Sequence, residues 1–108
     1  MTTLNAHSRE RIIGLLGLAR RARKLVDGQG RIIEAITSGE AKLIVLSEDA
    51  GANGSKKLRD KSASYEVPVV TFSSKEVLGK AIGRESVAAI AIVDEGLAAK
   101  LLERFGEL

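Results

Sequence analysis

Cysteine is absent from the 108 residues, and tryptophan with it. Disulfides, thiolate zinc sites, iron–sulfur clusters and thiol catalysis are thereby excluded. The single histidine, His7, stands in a polar N-terminal stretch, which leaves little for imidazole catalysis or a histidine metal site. Aromatic side chains are scarce: Tyr65, Phe72 and Phe105 are all there are. A protein that stacks single-stranded bases on exposed rings needs more, and the core must be aliphatic. No apolar run approaches the roughly 20 residues that cross a bilayer, and residues 1–11 lack the apolar stretch of a signal peptide. These absences predict a cytoplasmic protein that needs no cofactor or metal.

With 44% hydrophobic and 29% charged residues the chain is of the ordinary folded class. Its length allows one core, so a single domain is expected over 1–108, with residues 1–8 as a flexible tail. Charge is unevenly placed. Residues 1–31 hold seven basic side chains (Arg9, Arg11, Arg20, Arg21, Arg23, Lys24 and Arg31) against Glu10 and Asp27. The remainder is slightly acidic. Positive charge gathered at one end suggests a surface that faces a polyanion, although a solvated helix face explains the charges equally well.

Periodicity alternates between helix and strand. Ile12, Leu15, Leu16 and Ala19 make one helical stripe within Arg9–Arg23, with Ser8 placed to cap it. Gly14 and Gly17 each weaken that helix by about 1 kcal/mol relative to Ala, which implies close packing or close approach by something. Leu25-Val26 reads as a short strand, and Asp27–Gly30 as a loop. A second helix follows, with Ile32, Ile33, Ala35 and Ile36 inward and Ser38-Gly39 as its stop. Leu43–Leu46 and Val87–Val93 are unbroken apolar runs, the mark of strands buried on both faces. Between them lie a charged helix over about 53–64 with Leu58 and Ala63 inward, a strand over Val67–Phe72, and a short helix over Lys75–Ile82 capped by Ser73 or Ser74. Glu95–Phe105 carries a last stripe of Leu97, Ala98, Leu101, Leu102 and Phe105. Alternation of this kind predicts an α/β layered sandwich.

No catalytic constellation emerges. Gly28-x-Gly30 begins like a dinucleotide fingerprint, but Ile33 stands where the third glycine belongs. Gly51–Lys57 lacks the spacing of a phosphate loop and reads as the cap of the third helix, although its free N–H groups could hold an anion. Glu48 and Asp49 follow a buried strand, where enzymes place acid–base pairs or metal ligands; without a third partner they read as solvated residues or a cap for that same helix.

Taken in order, however, the segments Leu15-Leu16-Gly17-Leu18-Ala19-Arg20-Arg21-Ala22-Arg23-Lys24, Gly28, Ala41–Ala50, Val67-Pro68, Ser74-Lys75, Leu78–Gly83 and Val93–Gly96 resemble the small ribosomal-protein family of kink-turn RNA binders. This is the family of the archaeal "seven-Ae" and eukaryotic "thirty-e" large-subunit proteins, and the pattern is most similar to its bacterial YlxQ-type branch. The resemblance covers roughly residues 10–105. It implies a three-layer α-β-α sandwich with a four-stranded mixed sheet, no catalysis, and structured RNA, ribosomal RNA included, as partner; neither DNA nor a membrane is implied. It also implies a site. The start of the second helix would enter the widened groove of a kinked RNA, which places Lys24, Gly28, Gln29, Gly30 and Arg31 at the contact. The loop before the last strand would cover flipped bases, which places Arg84, Glu85, Ser86 and Val87 there.

Local chemistry fits that expectation. Backbone N–H groups at a glycine-rich helix start favour phosphate. Arg20 and Lys24 are expected beside the same end, adding salt-dependent attraction, and Arg31 suits guanine or phosphate. Gly30 and Arg31 stand where strong kink-turn binders of the family carry Asn and Glu, and Glu34 where they carry Lys. The Gly83–Val87 loop is also more polar than the usual aliphatic version. General RNA binding is expected to outlast these departures better than specific kink-turn readout. Two alternatives stay open: a protein-interaction adaptor on the same fold, and a small-ligand or nucleotide-binding domain using Glu48 and Asp49. Arg84 and Glu85 could equally form an exposed ion pair of little energetic value.

Overall fold

The computed structural model describes residues 3–108. Helices and strands alternate: α1 (Thr3–Arg21), β1 (Leu25–Asp27), α2 (Gln29–Thr37), β2 (Leu43–Leu46), α3 (Ala52–Ser64), β3 (Val69–Thr71), α4 (Lys75–Ala81), β4 (Ala89–Ile92) and α5 (Glu95–Phe105). The strands form one mixed sheet in the order β1-β4-β2-β3. β4 runs antiparallel to both β1 and β2, with Asp27 opposite Ile90 and Leu46 opposite Ala89, while β2 and β3 are parallel.

The two unbroken aliphatic runs supply the two central strands. Side chains alternate across a strand, so each run must meet apolar partners on both faces. Leu43, Val45, Ile90 and Ile92 point to one side, where they pack with Ile12, Leu16 and Ala19 of α1, Leu78 of α4 and Ala98 and Leu101 of α5. Ile44, Leu46 and Ala91 point to the other, against Ile32, Ala35 and Ile36 of α2 and Leu58 of α3. The result is the expected three-layer α-β-α sandwich, with α1, α4 and α5 on one face and α2 and α3 on the other.

Local chemistry sets the element ends. Ser74 Oγ accepts the Val77 N–H at 3.2 Å and Asp94 Oδ2 accepts the Leu97 N–H at 2.9 Å, capping α4 and α5. Asp49 caps α4 as well, accepting the Lys75 N–H at 3.0 Å; it does not cap α3, whose N-cap is Gly51. Gly17 owes its place to packing, since a Cβ there would sit 3.2 Å from the Ala81 carbonyl oxygen.

Several expectations are corrected. Helix α1 begins at Thr3, so Ser8 lies inside it and is no cap; residues 1 and 2 of the expected tail lie outside the described residues. Ser8 is buried and donates to Glu107 Oε1 at 2.6 Å, a tertiary contact that ties α1 to the end of the chain. On α3 the inward residues are Leu58 and Ser62, four apart on one face, whereas Ala63 is turned outward. Leu102 on α5 is exposed. β4 starts at Ala89, which leaves Val87 in the loop.

The α1–α5 tie has a pH signature. The Ser8 hydroxyl first of all, with Arg104 and Arg11 nearby, outweighs burial and holds the Glu107 carboxyl below its usual value. A carboxyl depressed in the folded state stabilises above its unfolded pKa of about 4.3 and loses that contribution as pH falls through the folded value. Glu107→Gln should therefore show a smaller drop in Tm than the parent when pH is lowered from about 7 to about 3. Parallel Tm profiles for the two proteins would contradict this role.

Candidate functional site

The β1–α2 junction is built on Gly28. Its φ of 90° and ψ of 129° lie where side chains other than glycine's are strained. The turn places Gly28 as N-cap of α2 with no side chain to cap the helix and no acidic residue in its first turn. The Ile32 N–H bonds back to the Gly28 carbonyl at 3.0 Å, so the N–H groups before it have no carbonyl within the helix. Helix α3 opens in the same manner: Gly51 is its N-cap, again without a side-chain cap or an early carboxylate. The two helix starts are neighbours, for Gln29 Oε1 lies 3.8 Å from where a Gly54 Cβ would be. Two positive dipole ends thus meet at one region, with no carboxylate in either first turn and Asp27, just before the Gly28 N-cap, as the acid among its lining residues.

The loop between α4 and β4 closes the third side. The Arg84 N–H donates to the Gly79 carbonyl at 2.8 Å and the Val87 N–H to the Lys75 carbonyl at 3.0 Å. Arg20 reaches across from α1 and donates through Nη1 to the Ile82 carbonyl. Gly79 permits this close docking: a Cβ there would lie 2.5 Å from Ser86 Cα and 2.7 Å from Ser86 N. From the loop, Arg84 Nε reaches Asp27 Oδ2 at 2.5 Å, so its ion pair is with the end of β1 and not with Glu85.

These parts enclose a cavity of about 360 Å³ with Leu46, Leu58 and Ala89 as its apolar floor and Gly28, Gln29, Arg84, Ser86 and Val87 around it. Five of the ten residues singled out from the sequence therefore meet in one place. Gly30, Arg31 and Glu85 stay exposed beside it, the first two on the opening turn of α2. Arg20 acts from behind, holding the loop. Lys24 is not at the cavity. It precedes β1 while Gly28 follows it, and the four residue steps between them span about 13 Å, so Lys24 does not flank the start of α2 beside Arg20 as expected. Asp27 and Gly79 belong to the construction without being expected there, and Gly51, Gly54 and Ser55 join it from the segment expected to cap α3. Asp27 carried a signal, as one of two acids in the basic N-terminal third. Glu48 and Asp49 lie exposed, and no group of three acidic or histidine side chains is placed to hold a metal among the described residues.

A sequence model of the "Ribosomal protein L7Ae/L30e/S12e/Gadd45 family" matches residues 10–102. The chain belongs to this family. Among its relatives, the "RNA-binding protein YlxQ" of Bacillus subtilis (strain 168) is 47% identical over 88 residues, covering 82% of this chain and 88% of its own. The "Large ribosomal subunit protein eL8" of Thermoplasma volcanium is 32% identical over 88 residues, covering 81% of this chain and 73% of its own. The chain is thus similar to bacterial YlxQ-type members of the L7Ae/L30e/S12e/Gadd45 family. A solved protein of unknown function from Bacillus halodurans superimposes with a TM-score of 0.86 at 40% identity, covering 89% of this chain and 97% of that one. The "15.5kD RNA binding protein" of Giardia lamblia superimposes with a TM-score of 0.79 at 19% identity over 93% of this chain and 86% of that one; that likeness concerns the fold alone.

The docking of the loop is directly testable. Gly79→Ala pushes a methyl into the Ser86 backbone and should cost about 1–3 kcal/mol in urea unfolding, with the amide resonances of Arg84–Val87 displaced. Unchanged stability and unmoved loop resonances would contradict the close approach.

Proposed function

We propose that this protein is a non-catalytic binder of structured RNA that recognises kink-turn or related bulged RNA and associates with ribosomal RNA in the cytoplasm. The observation that carries the reading is the meeting of two uncapped helix starts and the Arg84–Val87 loop around one cavity. The names of the relatives support RNA as the ligand class. Among the described residues, no helix is long and apolar enough to cross a membrane.

In this reading the exposed amides at the start of α2 accept a phosphate, and Arg31 beside them adds a cation. Arg84 is about half exposed and its pair with Asp27 is correspondingly weak, so the guanidinium can exchange Asp27 for a phosphate. The cavity, apolar below and polar at its rim, suits an extruded base, which is how proteins read RNA at bulges. Gly30 offers no side chain to a base edge, and Arg31 offers a donor fork only. Selectivity therefore comes from the shape of the kinked backbone more than from base edges.

Titrating a kink-turn RNA and a length-matched perfect duplex at two salt concentrations tests this. The kink-turn should bind more tightly at both, and Arg84→Ala and Arg31→Ala should each weaken it by roughly tenfold while lowering the salt slope by about one. Lys24→Ala should matter less, being at the far end of β1. Equal affinity for both RNAs with a common steep salt dependence would reduce the function to general electrostatic binding. Binding to neither would favour an adaptor on the same fold.

A further inference from the structure

A second concave surface lies between α1 and α5, and none of its residues lines the cavity described above. It measures about 600 Å³. Its α1 wall is a stripe one residue out of step with the buried one: Arg11, Leu15, Leu18 and Arg21 run along it while Ile12, Leu16 and Ala19 face the sheet. Leu18 is 43% exposed. The α5 wall carries Lys100 and Arg104, with Glu103 as the one carboxylate lining the groove. Arg104 is paired to Glu107 at 2.9 Å and Arg11 lies near enough to lower that carboxyl as well, while Arg21 and Lys100 enter no ion pair among the described residues.

Gly14 lies beside Leu15 and one turn before Leu18 on the same face of α1. It is exposed, it is in the middle of a helix, and a Cβ built on it would meet no atom within 4 Å among the described residues. Gly17, one turn on, is explained by the Ala81 carbonyl. No contact among the described residues explains Gly14, whose effect is to leave a notch in the groove floor beside Leu15 and one turn from Leu18.

We propose that the α1–α5 groove docks an acidic amphipathic helix of another protein. The notch and the two leucines take apolar side chains at helical spacing, as helix-in-groove recognition requires. The four cations of the groove, Arg21 and Lys100 among them without an ion pair, face the carboxylates that flank such a stripe. A phosphate backbone would use the cations but has nothing to place against Leu15, Leu18 and the notch. The proposal is independent of the RNA reading, because the two surfaces share no residue.

The test uses the full chain and a synthetic helix-forming peptide of about 18 residues, five turns, with leucines on one stripe and glutamates beside it. Controls are the same composition shuffled to destroy the stripe, the peptide with lysine for glutamate, and polyuridylate. Fluorescence anisotropy gives affinity, and amide NMR gives the place. The acidic amphipathic peptide should move resonances of α1 and α5 and bind at least roughly tenfold more tightly than either altered peptide. Gly14→Leu fills the notch without changing charge, so it should keep the parent's Tm or exceed it and lose roughly tenfold or more in peptide affinity. Arg11→Glu combined with Lys100→Glu should lose binding as well, by charge alone. Peptide affinity unchanged in Gly14→Leu and in the double variant would overturn the proposal, as would no binding at millimolar peptide. Polyuridylate mapping to the groove with affinity indifferent to Gly14→Leu would overturn it too, by making this a phosphate surface.

Discussion

The backbone of the Gly83–Val87 loop lies against α4 at a separation that only a glycine allows. With Ser86 Cα 2.5 Å from where a Gly79 Cβ would stand, the Arg84 and Val87 amides reach the carbonyls of Gly79 and Lys75. This loop feeds β4, the strand between β1 and β2. Its position therefore fixes where the central strand begins and which side chains lead into it. The Arg20 contact to the Ile82 carbonyl and the Asp49 cap on α4 hold the same corner from two other elements.

The cavity follows from that corner. Its chemistry is mostly backbone: two helix starts whose N-caps are glycines, with neither a capping side chain nor an early acid. A site of this kind tolerates change in side chains better than one built on base-reading residues, because amide positions are set by the fold. Gly30 and Arg31 occupy the opening turn of α2 without disturbing the geometry around them. The cost of leaving two helix ends uncapped is a loss of local stability, which a bound anion at those ends would offset.

Much of the fold was readable because it rests on local rules. Two aliphatic runs specified two strands buried on both faces, and the stripes of α1, α2 and α5 specified which faces they meet. The misreadings are tertiary in origin. Ser8 looked like a cap because capping residues are short and polar; its actual partner, Glu107, is 99 residues away. Ala63 is the more apolar of two neighbours, but the phase set by Leu58 turns Ser62 inward instead. Of the site, the glycine turn and the Arg84–Val87 loop were legible through the family resemblance. Closeness along the chain put Lys24 beside Gly28, although a strand separates them. Gly51 is the helix cap the sequence suggests, whereas the part Gly79 plays is silent, since a close approach between distant backbones leaves no periodic or compositional trace.

In the proposed function, kinked RNA is received by the backbone around this cavity. Amide-resolved NMR of the full chain, titrated with a kink-turn RNA, tests it most directly. The largest shifts and the strongest exchange protection are expected at Gln29–Arg31, Ala52–Gly54 and Arg84–Val87, with Lys24 and the outer faces of α1 and α5 little moved. Shifts centred on the lysines of α3 or on the α1–α5 groove, with the cavity amides unmoved, would contradict it.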